Sequence, residues 1–342
     1  MKKYSIALLV IGLAAILAGV SLFYWMLWSP AVAAGSHDFN LTIRKGMSFN
    51  SILAEMSNQD LLIGETKVKA SAFILGVRDQ MKAGRYRIAP KTSAIDLLRM
   101  LSAGKVAIEK VTIPEGKHAR QIASILQRTI EVDSSQFIQL VNDSAFIRTL
   151  ELDVPSLEGF LFPNTYGFYW GMTPKSVVSA LVSEFKKRFD SSLHAKAAEL
   201  GLSLTEVITL ASIIEGEAVV AEEREVISAV YWNRLRKNMR LQADPTIQYI
   251  IPDGPRRLLN RDLALDSPYN TYKYTGLPPG PVNNPGLASI RAALFPAKVD
   301  YLYFVANGDG THSFSRSLRE HLRAKARFDK IRKKVAKERV EG

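Results

Sequence analysis

A long segment without charged residues lies at the N-terminus of the chain, and it limits the folds that the chain can adopt. Lys2 and Lys3 come first, and the segment from Tyr4 to Trp28 then contains no acidic or basic side chain. It consists mostly of Ile, Leu, Val, Ala and Phe. A helix needs about 20 predominantly apolar residues to cross the hydrocarbon core of a bilayer. The run therefore predicts one membrane-spanning helix.

A cleaved secretory signal is the alternative explanation of this run, because Ala31-Val32-Ala33 offers a cleavage site of small residues. The apolar region of a signal peptide is about 7–15 residues long, and this run is clearly longer. It also ends in an aromatic cluster, Phe23 to Trp28, of the kind that lies at a membrane surface. We therefore expect an uncleaved anchor.

The charges on either side of the run predict its orientation. Lys2 and Lys3 precede it, whereas the first charged residues after it are Asp38 and Arg44. Lysine and arginine concentrate on the cytoplasmic side of membrane helices. We expect a single-pass protein of the plasma or inner membrane, with its N-terminus in the cytoplasm and its body in the periplasmic or extracytoplasmic space.

The amino-acid composition excludes further classes of function. The chain has no cysteine, which excludes disulfides and thiolate chemistry. The net charge of +12 would suit nucleic acid, anionic lipid or an acidic polymer. With the body outside the cytoplasm, we expect no nucleic-acid partner.

The residue pattern predicts an α+β protein with successive parts. A cytoplasmic stub and membrane helix occupy residues 1–28, and a tether of small and polar residues spans 29–38. Residues 39–106 have the pattern of a small unit with a strand, helices and a second strand. The main unit is predicted at 107–330, with helices around a small sheet, and a basic tail at 331–342.

Within the main unit, Thr205 to Leu235 has the spacing of one long helix, and Tyr301 to Val305 has that of a short strand. Between them, the stretch from Leu241 to Pro296 is rich in Pro, Gly, Asn and Tyr. A loop of this length in a compact domain is usually functional or disordered, and the aromatic residues argue against disorder.

Most catalytic motifs are absent from the sequence. The five histidines are scattered without the spacing of metal ligands, so we expect no protein-built metal site. Ser102 and Ser183 each stand three residues before a lysine, but the partner motifs of serine acyl-enzymes do not follow. No nucleotide-binding motif occurs, and we expect no cofactor.

One apolar helical stretch, Leu210 to Ala218, carries two glutamates, Glu215 and Glu217, with Gly216 between them. Helical residues two apart point about 200 degrees apart, so the two carboxyls cannot form a pair. Glu217 continues the three-and-four spacing of the apolar residues, whereas Glu215 falls on the flank. A carboxyl at the edge of an apolar core has a raised pKa, as a general acid requires.

The stretch from Leu210 to Ala218 could instead be the ordinary solvent-exposed end of a helix, without a catalytic role. Glu222, Glu223 and Glu225 follow shortly after Glu217, as they would on an exposed segment. On spacing alone, this alternative accounts for the pattern better than a catalytic role does.

A series of motifs distinguishes these explanations. In chain order they are Leu157 to Tyr166, Ala211 to Glu217, Asn233-Arg234-Leu235, Leu241 to Thr246, Tyr269-Asn270-Thr271-Tyr272, Gly276 to Gly280, Asn284-Pro285-Gly286 and Tyr301 to Val305. The series resembles the YceG-like family of endolytic murein transglycosylases and covers the chain from about Lys110 to Phe328. The unit at 39–106 resembles a degenerate LysM module, a small fold that binds N-acetylated glycans.

The resemblance implies a lytic transglycosylase of the bacterial cell wall. It would cut between N-acetylmuramic acid and N-acetylglucosamine within glycan strands, leave a 1,6-anhydro end and terminate the elongation of new strands. In the family, the catalytic residue is the second glutamate of the Ile-Glu-x-Glu motif; the resemblance thus implies Glu217 here, with Glu215 in reserve. The family also implies a membrane anchor and partnership with wall synthases or with division and elongation proteins.

Further residues of the motif segments are expected to line the sugar cleft, although packing within loops explains them equally well. These are Gln242, Asp244, Tyr269, Asn270, Tyr272 and His312. The chain departs from the family at Gly216, where lysine is frequent, and at Asn164, where aspartate is frequent. The second departure argues against an acidic catalytic role at position 164.

Two other functions remain open at this point. A hydrolase that pairs Glu217 with Asp244 would use one carboxyl as acid and the other on water or on the sugar. A scaffold anchored in the membrane would bind the wall without cutting it.

Overall fold

The computed structural model describes residues 2–35, 37–252 and 254–341, and the side chains of these except at 2–5, 329 and 331–341. The helices are α1 Lys2–Trp28, α2 Phe49–Asn58, α3 Glu65–Leu75, α4 Ala94–Ala103, α5 Ala119–Ile130, α6 Ser134–Val141, α7 Ser144–Thr149, α8 Pro174–Arg188, α9 Ser191–Glu199, α10 Leu204–Glu217, α11 Arg224–Arg236, α12 Asp244–Ile250, α13 Asn260–Leu263, α14 Leu287–Leu294 and α15 Leu318–Glu341. The strands are β1 Phe39–Ile43, β2 Gly84–Ile88, β3 Ile108–Thr112, β4 Thr165–Tyr169, β5 Tyr303–Ala306 and β6 His312–Ser315. The α+β prediction is confirmed.

Each strand pairs with one other strand. β1 and β2 are antiparallel, with Phe39 opposite Ile88 and Ile43 opposite Gly84. β3 pairs with β4, and β5 and β6 form an antiparallel pair. The small sheet predicted for the main unit is thus built from two-stranded ribbons.

The chain divides into two compact units. One contains residues 1–110, 129–131 and 167–172, and the other contains 111–128, 132–166 and 173–342. We call the part of the former that follows α1 the first unit, and we call the latter the second unit. The predicted basic tail at 331–342 falls largely within the backbone of α15, and its side chains lie outside the described residues.

The core of the first unit lies between its strand pair and its helices. Leu41 and Tyr86 on the strands are fully buried against Ile52 of α2 and Leu97 of α4. Ser48 begins α2 by accepting the N–H of Ser51 on its side-chain oxygen. The order β1, α2, α3, β2 agrees with the predicted succession of a strand, helices and a strand.

The start of the predicted tether is not a free linker. Ala31 and Val32 are fully buried, and both of their N–H groups donate to the carbonyl of Thr92. The N–H of Ala33 donates to Leu61, and the N–H of Ile63 donates to the carbonyl of Ala31. Small side chains allow this close approach of backbones, so residues that looked like a linker are packed into the first unit.

One helix of the described residues is, by itself, long and apolar enough to cross a membrane. It spans Ile6–Trp28, with a mean hydropathy of 2.7. Its side chains from Ile6 to Trp25 are exposed, whereas Leu27 is buried against the first unit. The predicted N-terminal apolar helix is therefore present, and it is continuous with a folded unit.

α10 is the central helix of the second unit. Ser203 and Glu206 fix its start through a capping box, in which each side chain accepts the backbone N–H of the other residue. Every residue from Val207 to Ile214 is buried, and the helix contacts α9, α11, α12 and α14. A helix surrounded on all sides is apolar on most faces, as the sequence shows.

The long helix predicted from Thr205 to Leu235 is interrupted. α10 ends at Glu217, Ala218 has an extended backbone, and a short 3-10 turn at Ala221–Glu223 leads into α11. The break lets α11 turn back and pack against α10, which one continuous helix could not do. As a result, Glu217 stands at the end of the central helix, where the buried core meets the surface.

Candidate functional site

Glu217 is held by two neighbouring elements. Its Oε1 accepts the backbone N–H of Asp244, at the start of α12, at 3.2 Å. The same oxygen accepts the hydroxyl of Tyr231, from α11, at 3.3 Å. No donor in the described part of the chain reaches Oε2. One carboxyl oxygen is therefore fixed, and the other is left to exchange a proton.

Burial raises the pKa of Glu217 to about 7, and the negative charge of Asp244 adds to this increase. The hydrogen bonds from Tyr231 and from the N–H of Asp244 act in the opposite direction, as does the positive charge of Arg234. A carboxyl with this pKa is protonated in a large fraction of molecules near neutral pH. It can therefore donate a proton and take one back.

Asp244, whose backbone N–H donates to Glu217, is itself held by Tyr272. The hydroxyl of Tyr272 donates to Asp244 Oδ1, and burial raises the pKa of Tyr272. Tyr272 follows the loop that Asn270 holds, because the amide oxygen of Asn270 accepts the N–H of Tyr272. Two of the predicted cleft residues, Asp244 and Tyr272, thus lie together with Glu217.

Glu217 opens into a cavity of about 410 Å³. Its lining includes Gly116, Lys117, His118, Gln121, Gly216, Asp244, Pro245, Gln248, Tyr249, Pro255, Val282 and Asn283. A second cavity of about 440 Å³ shares His118, Gln121, Gln248 and Tyr249 with the first. Because these residues line both cavities, the two are adjacent in the second unit, and together we call them the groove.

Asn283 contributes an unused acceptor to this groove. Its amide nitrogen donates to the carbonyl of Ser212 in α10 at 2.8 Å. Its Oδ1 is buried and has no hydrogen-bond partner among the described residues. An unpaired buried polar atom is costly unless a ligand or water satisfies it. Asn283 therefore stands in the wall of the cavity with an amide oxygen that no described residue satisfies.

Glu215 has a different environment from Glu217. Its Oε2 accepts the N–H of Gly286 at 3.1 Å, and its Oε1 lies 3.8 Å from the guanidinium of Arg224. These contacts join the end of α10 to the starts of α14 and α11. Glu215 does not line the cavity at Glu217, in agreement with the opposite directions predicted for the two side chains.

The other predicted cleft residues occupy varied positions. Tyr269 lies with its ring 5.1 Å from that of Tyr249, which lines the groove. Gln242 is exposed, with a left-handed backbone (φ 48°). Asn270 is fully buried, and its amide nitrogen donates to the carbonyls of Leu263 and Leu265. Asn270 is therefore engaged in holding its own loop.

His312 is likewise engaged within the protein. Its Nδ1 lies 2.7 Å from Glu223 Oε2, and its N–H donates to Glu223 Oε1. Its ring packs edge-on against Phe304, which in turn packs against Tyr231. His312 thus lies behind the tyrosine that contacts Glu217, and it does not line the cavity.

Both positions that depart from the family pattern have defined contacts. The amide nitrogen of Asn164 donates to Glu184 at 3.0 Å. A Cβ atom on Gly216 would lie 2.5 Å from Cγ of Pro245. Glycine therefore allows the start of α12 to approach the last turn of α10.

Several residues that contact Glu217 or line the groove were not predicted from the sequence. They are Tyr231, Asn283, Gln248, Tyr249, His118 and Gln121. Two of them stand beside motifs, since Asn283 precedes Asn284-Pro285-Gly286 and Tyr231 stands two residues before Asn233. In the described residues, no group of three or more histidine, aspartate or glutamate side chains is arranged to hold a metal ion.

Comparison with known proteins gives consistent results. The model of the YceG-like family matches residues 41–327. A Bacillus subtilis protein named endolytic murein transglycosylase is 32% identical over 331 residues, which cover 92% of this chain and 91% of that protein. A Streptococcus pneumoniae protein of the same name is 31% identical over 284 residues, or 72% of this chain. The match covers 51% of that longer protein.

A solved structure is also similar. The 2.6 Å crystal structure of a YceG-like protein from Listeria monocytogenes superposes with a TM-score of 0.60 at 30% sequence identity. The match covers 84% of this chain and 99% of the Listeria chain.

Proposed function

Since this chain belongs to the YceG-like family, we propose that it is an endolytic murein transglycosylase in which Glu217 is the catalytic acid and base. The observation that carries the proposal is the placement of Glu217. It is a carboxyl with a pKa of about 7, at the end of a buried helix, opening into a groove. The named relatives supply the substrate class, which is the glycan strand of murein.

The first step is protonation of the glycosidic oxygen. Protonated Glu217 gives its proton to the oxygen between N-acetylmuramic acid and the next N-acetylglucosamine, and the bond from that oxygen to C1 breaks. The leaving sugar departs with a new hydroxyl. Glu217 remains as a carboxylate, which the N–H of Asp244 and the hydroxyl of Tyr231 stabilise through Oε1.

The second step closes the anhydro ring. The 6-hydroxyl of the muramic acid attacks C1, and its proton passes to the carboxylate of Glu217. The carboxyl is protonated again, as at the start, and no water is consumed. A hydrolase needs a second carboxylate to attack C1 or to activate water. One carboxyl is sufficient here because the nucleophile belongs to the substrate.

We assign distinct roles to the surrounding residues. Asp244 raises the pKa of Glu217 by its charge and orients its own N–H toward it. Asn283, which lines the cavity, would bind sugar groups, and Tyr272 would hold Asp244 in place through its hydroxyl. Asn270 and His312, whose polar atoms are engaged within the protein, would act by holding the loops that carry these contacts.

We further propose that α1 anchors the chain in the plasma membrane, with its N-terminus in the cytoplasm and both units outside. The apolar span Ile6–Trp28 and the preceding Lys2 and Lys3 support this orientation. We also propose that the first unit binds glycan as a LysM-like module, which its β1, α2, α3, β2 order supports. Wall synthases remain expected partners from the family alone.

The test is digestion of purified murein by the full-length chain in detergent, carried out in water enriched in ¹⁸O. Mass spectrometry should find 1,6-anhydro ends without ¹⁸O on fragments cut from within strands. Glu217→Gln should release none, because its amide cannot donate the proton. Glu215→Gln should release the same anhydro ends, since Glu215 does not line the cavity.

Other products would contradict the proposal. Reducing ends that carry ¹⁸O would identify a hydrolase, and their loss in Asp244→Asn would identify its second carboxyl. If the folded wild-type chain released nothing from new or mature strands, the scaffold function would be favoured.

A further inference from the structure

The first unit has exposed apolar side chains at the end of α3. Phe73 is 80% exposed and Ile74 is 47% exposed, although both belong to a folded helix. The opposite face of α3 is buried in the core of the unit through Val68 and Ala72. This pair therefore does not contribute to the core.

α3 lies against the end of the membrane helix. The hydroxyl of Ser71 is 3.3 Å from the carbonyl of Met26, which belongs to the apolar span. Lys67 Nζ contacts Ser29 Oγ at 2.9 Å and lies 5.4 Å from the centre of the Trp25 ring. α1 and α3 therefore pack side by side where the chain leaves the span.

α3 runs back toward the membrane span, and this direction determines how deep its C-terminal end lies. Ile63, just before α3, bonds to Ala31, which lies beyond the span. Ser71, later in α3, contacts Met26, which lies within it. The chain thus returns toward the span as α3 proceeds. Phe73 lies two residues further, about 3 Å deeper at the helical rise per residue.

This depth corresponds to the aromatic end of α1. Phe23, Tyr24 and Trp25 are exposed there, and the rings of Tyr24 and Trp28 stack at 4.8 Å. Aromatic side chains of this kind mark the interfacial layer of a bilayer. Phe73 and Ile74 are thus at the level where lipid surrounds α1.

The first unit is also firmly attached to α1. Leu27 is 2% exposed, and the following residues, Ala31 and Val32, are fully buried and hydrogen-bonded to Thr92. No flexible segment separates the span from the unit. If α1 crosses a membrane, the end of α3 is brought to the bilayer surface.

We propose that Phe73 and Ile74 insert into the outer interfacial layer of the membrane, so that the first unit is docked on lipid. This inference rests on the proposed membrane anchor. The occupant is lipid because the exposed pair continues the apolar surface of α1 at the same level. Burial of these two side chains adds to the attachment that α1 provides.

The test uses the absence of cysteine in the natural chain. Single cysteines at Leu13, Thr66 and Phe73 are spin-labelled in the full-length protein, which is placed in vesicles of phosphatidylglycerol and phosphatidylethanolamine without any other protein. Collision rates with oxygen and with a water-soluble nickel complex then report whether each label contacts lipid. Leu13→Cys tests the anchor, and Thr66→Cys is the control at the outer end of α3, about 10 Å away from position 73.

We expect labels at 13 and 73 to favour oxygen and the label at 66 to favour nickel. Introducing Ile74→Glu should shift position 73 toward nickel, because a carboxylate is costly in the apolar layer. Ile63→Glu is the matched control, since Ile63 is 48% exposed but lies beside Ala31, and it should leave position 73 unchanged.

The two proposals fail in different ways. If position 13 favours oxygen but 73 favours nickel, the anchor holds and docking on lipid is overturned, which leaves a protein partner as the cover of this surface. If position 13 itself favours nickel, the anchor is wrong, and the docking inference falls with it.

Discussion

At the scale of single residues, the catalytic proposal depends on the proton of Glu217. Its raised pKa means that the carboxyl is protonated below about pH 7 and loses its proton above it. Because the acid form is needed to begin the reaction, kcat/KM should be constant at lower pH. It should fall about tenfold per pH unit above the pKa. A pH profile of anhydro-end formation measures this descending limb.

Substitution of Tyr231 tests whether Glu217 sets the descending limb of this pH profile. Its hydroxyl stabilises the carboxylate of Glu217 and so lowers the pKa. Tyr231→Phe should therefore move the descending limb to higher pH, by about one unit for a hydrogen bond to a charged group. Tyr249→Phe is the control, because Tyr249 lines the groove without a hydrogen bond to Glu217, and it should leave the limb in place. An unchanged limb in Tyr231→Phe would show that Glu217 does not set it.

Some residues of the site could be predicted from the sequence, and others could not. The three-and-four spacing predicted that Glu217 lies at the edge of an apolar core and that Glu215 points elsewhere, and the side chains lie in this way. The spacing could not predict Tyr231 or Asn283, because their roles depend on contacts with residues distant in the chain. Asn270 and His312 belong to motif segments, but only the fold shows that their polar atoms are engaged internally.

At the scale of elements, the approach of α12 to α10 determines the geometry at Glu217. A Cβ atom at position 216 would overlap Pro245, whose neighbour Asp244 donates to Glu217. Gly216→Ala should displace that donor and lower kcat by roughly 10- to 100-fold, the effect of a small misplacement in an active site. The gain in helix propensity, about 1 kcal/mol, should offset part of the strain in urea unfolding.

Pro245→Gly provides the control for this prediction. The new methyl group would meet both Cγ and Cβ of Pro245, and glycine removes both atoms, so Gly216→Ala should cost much less activity in the Pro245→Gly background. An equal loss in both backgrounds would mean that the clash with Pro245 is not the cause.

The predicted elements were most reliable where periodicity was strong. The stretch from Leu241 to Pro296 has the composition of a loop, yet it contains α12, α13 and α14. These helices have between four and eight residues, which is too short to give a clear helical period. Tertiary contacts fix them instead, such as the packing of α12 and α14 against α10.

At the scale of the whole molecule, residues 29–38 contribute more to the stability of the first unit than their small and polar side chains indicate. A soluble fragment that begins at residue 39 lacks Ala31 and Val32, which are fully buried in the first unit. We expect this unit to lose about 2–4 kcal/mol of stability relative to a fragment that begins at residue 29. Thermal unfolding of the two fragments measures the difference. Equal midpoints would show that this segment contributes nothing to the fold.

The groove at Glu217 is assembled from segments far apart in the chain. His118, Glu217, Asp244 and Asn283 all line it, and Asn284 bonds across 167 residues to the carbonyl of Lys117. Long-range contacts of this kind form late in folding, because the intervening chain must first be ordered. A chain synthesised only as far as Glu217 thus contains this carboxyl but has no complete groove around it. The chemistry proposed for Glu217 therefore has to wait until the chain has been made and folded at least as far as Asn284.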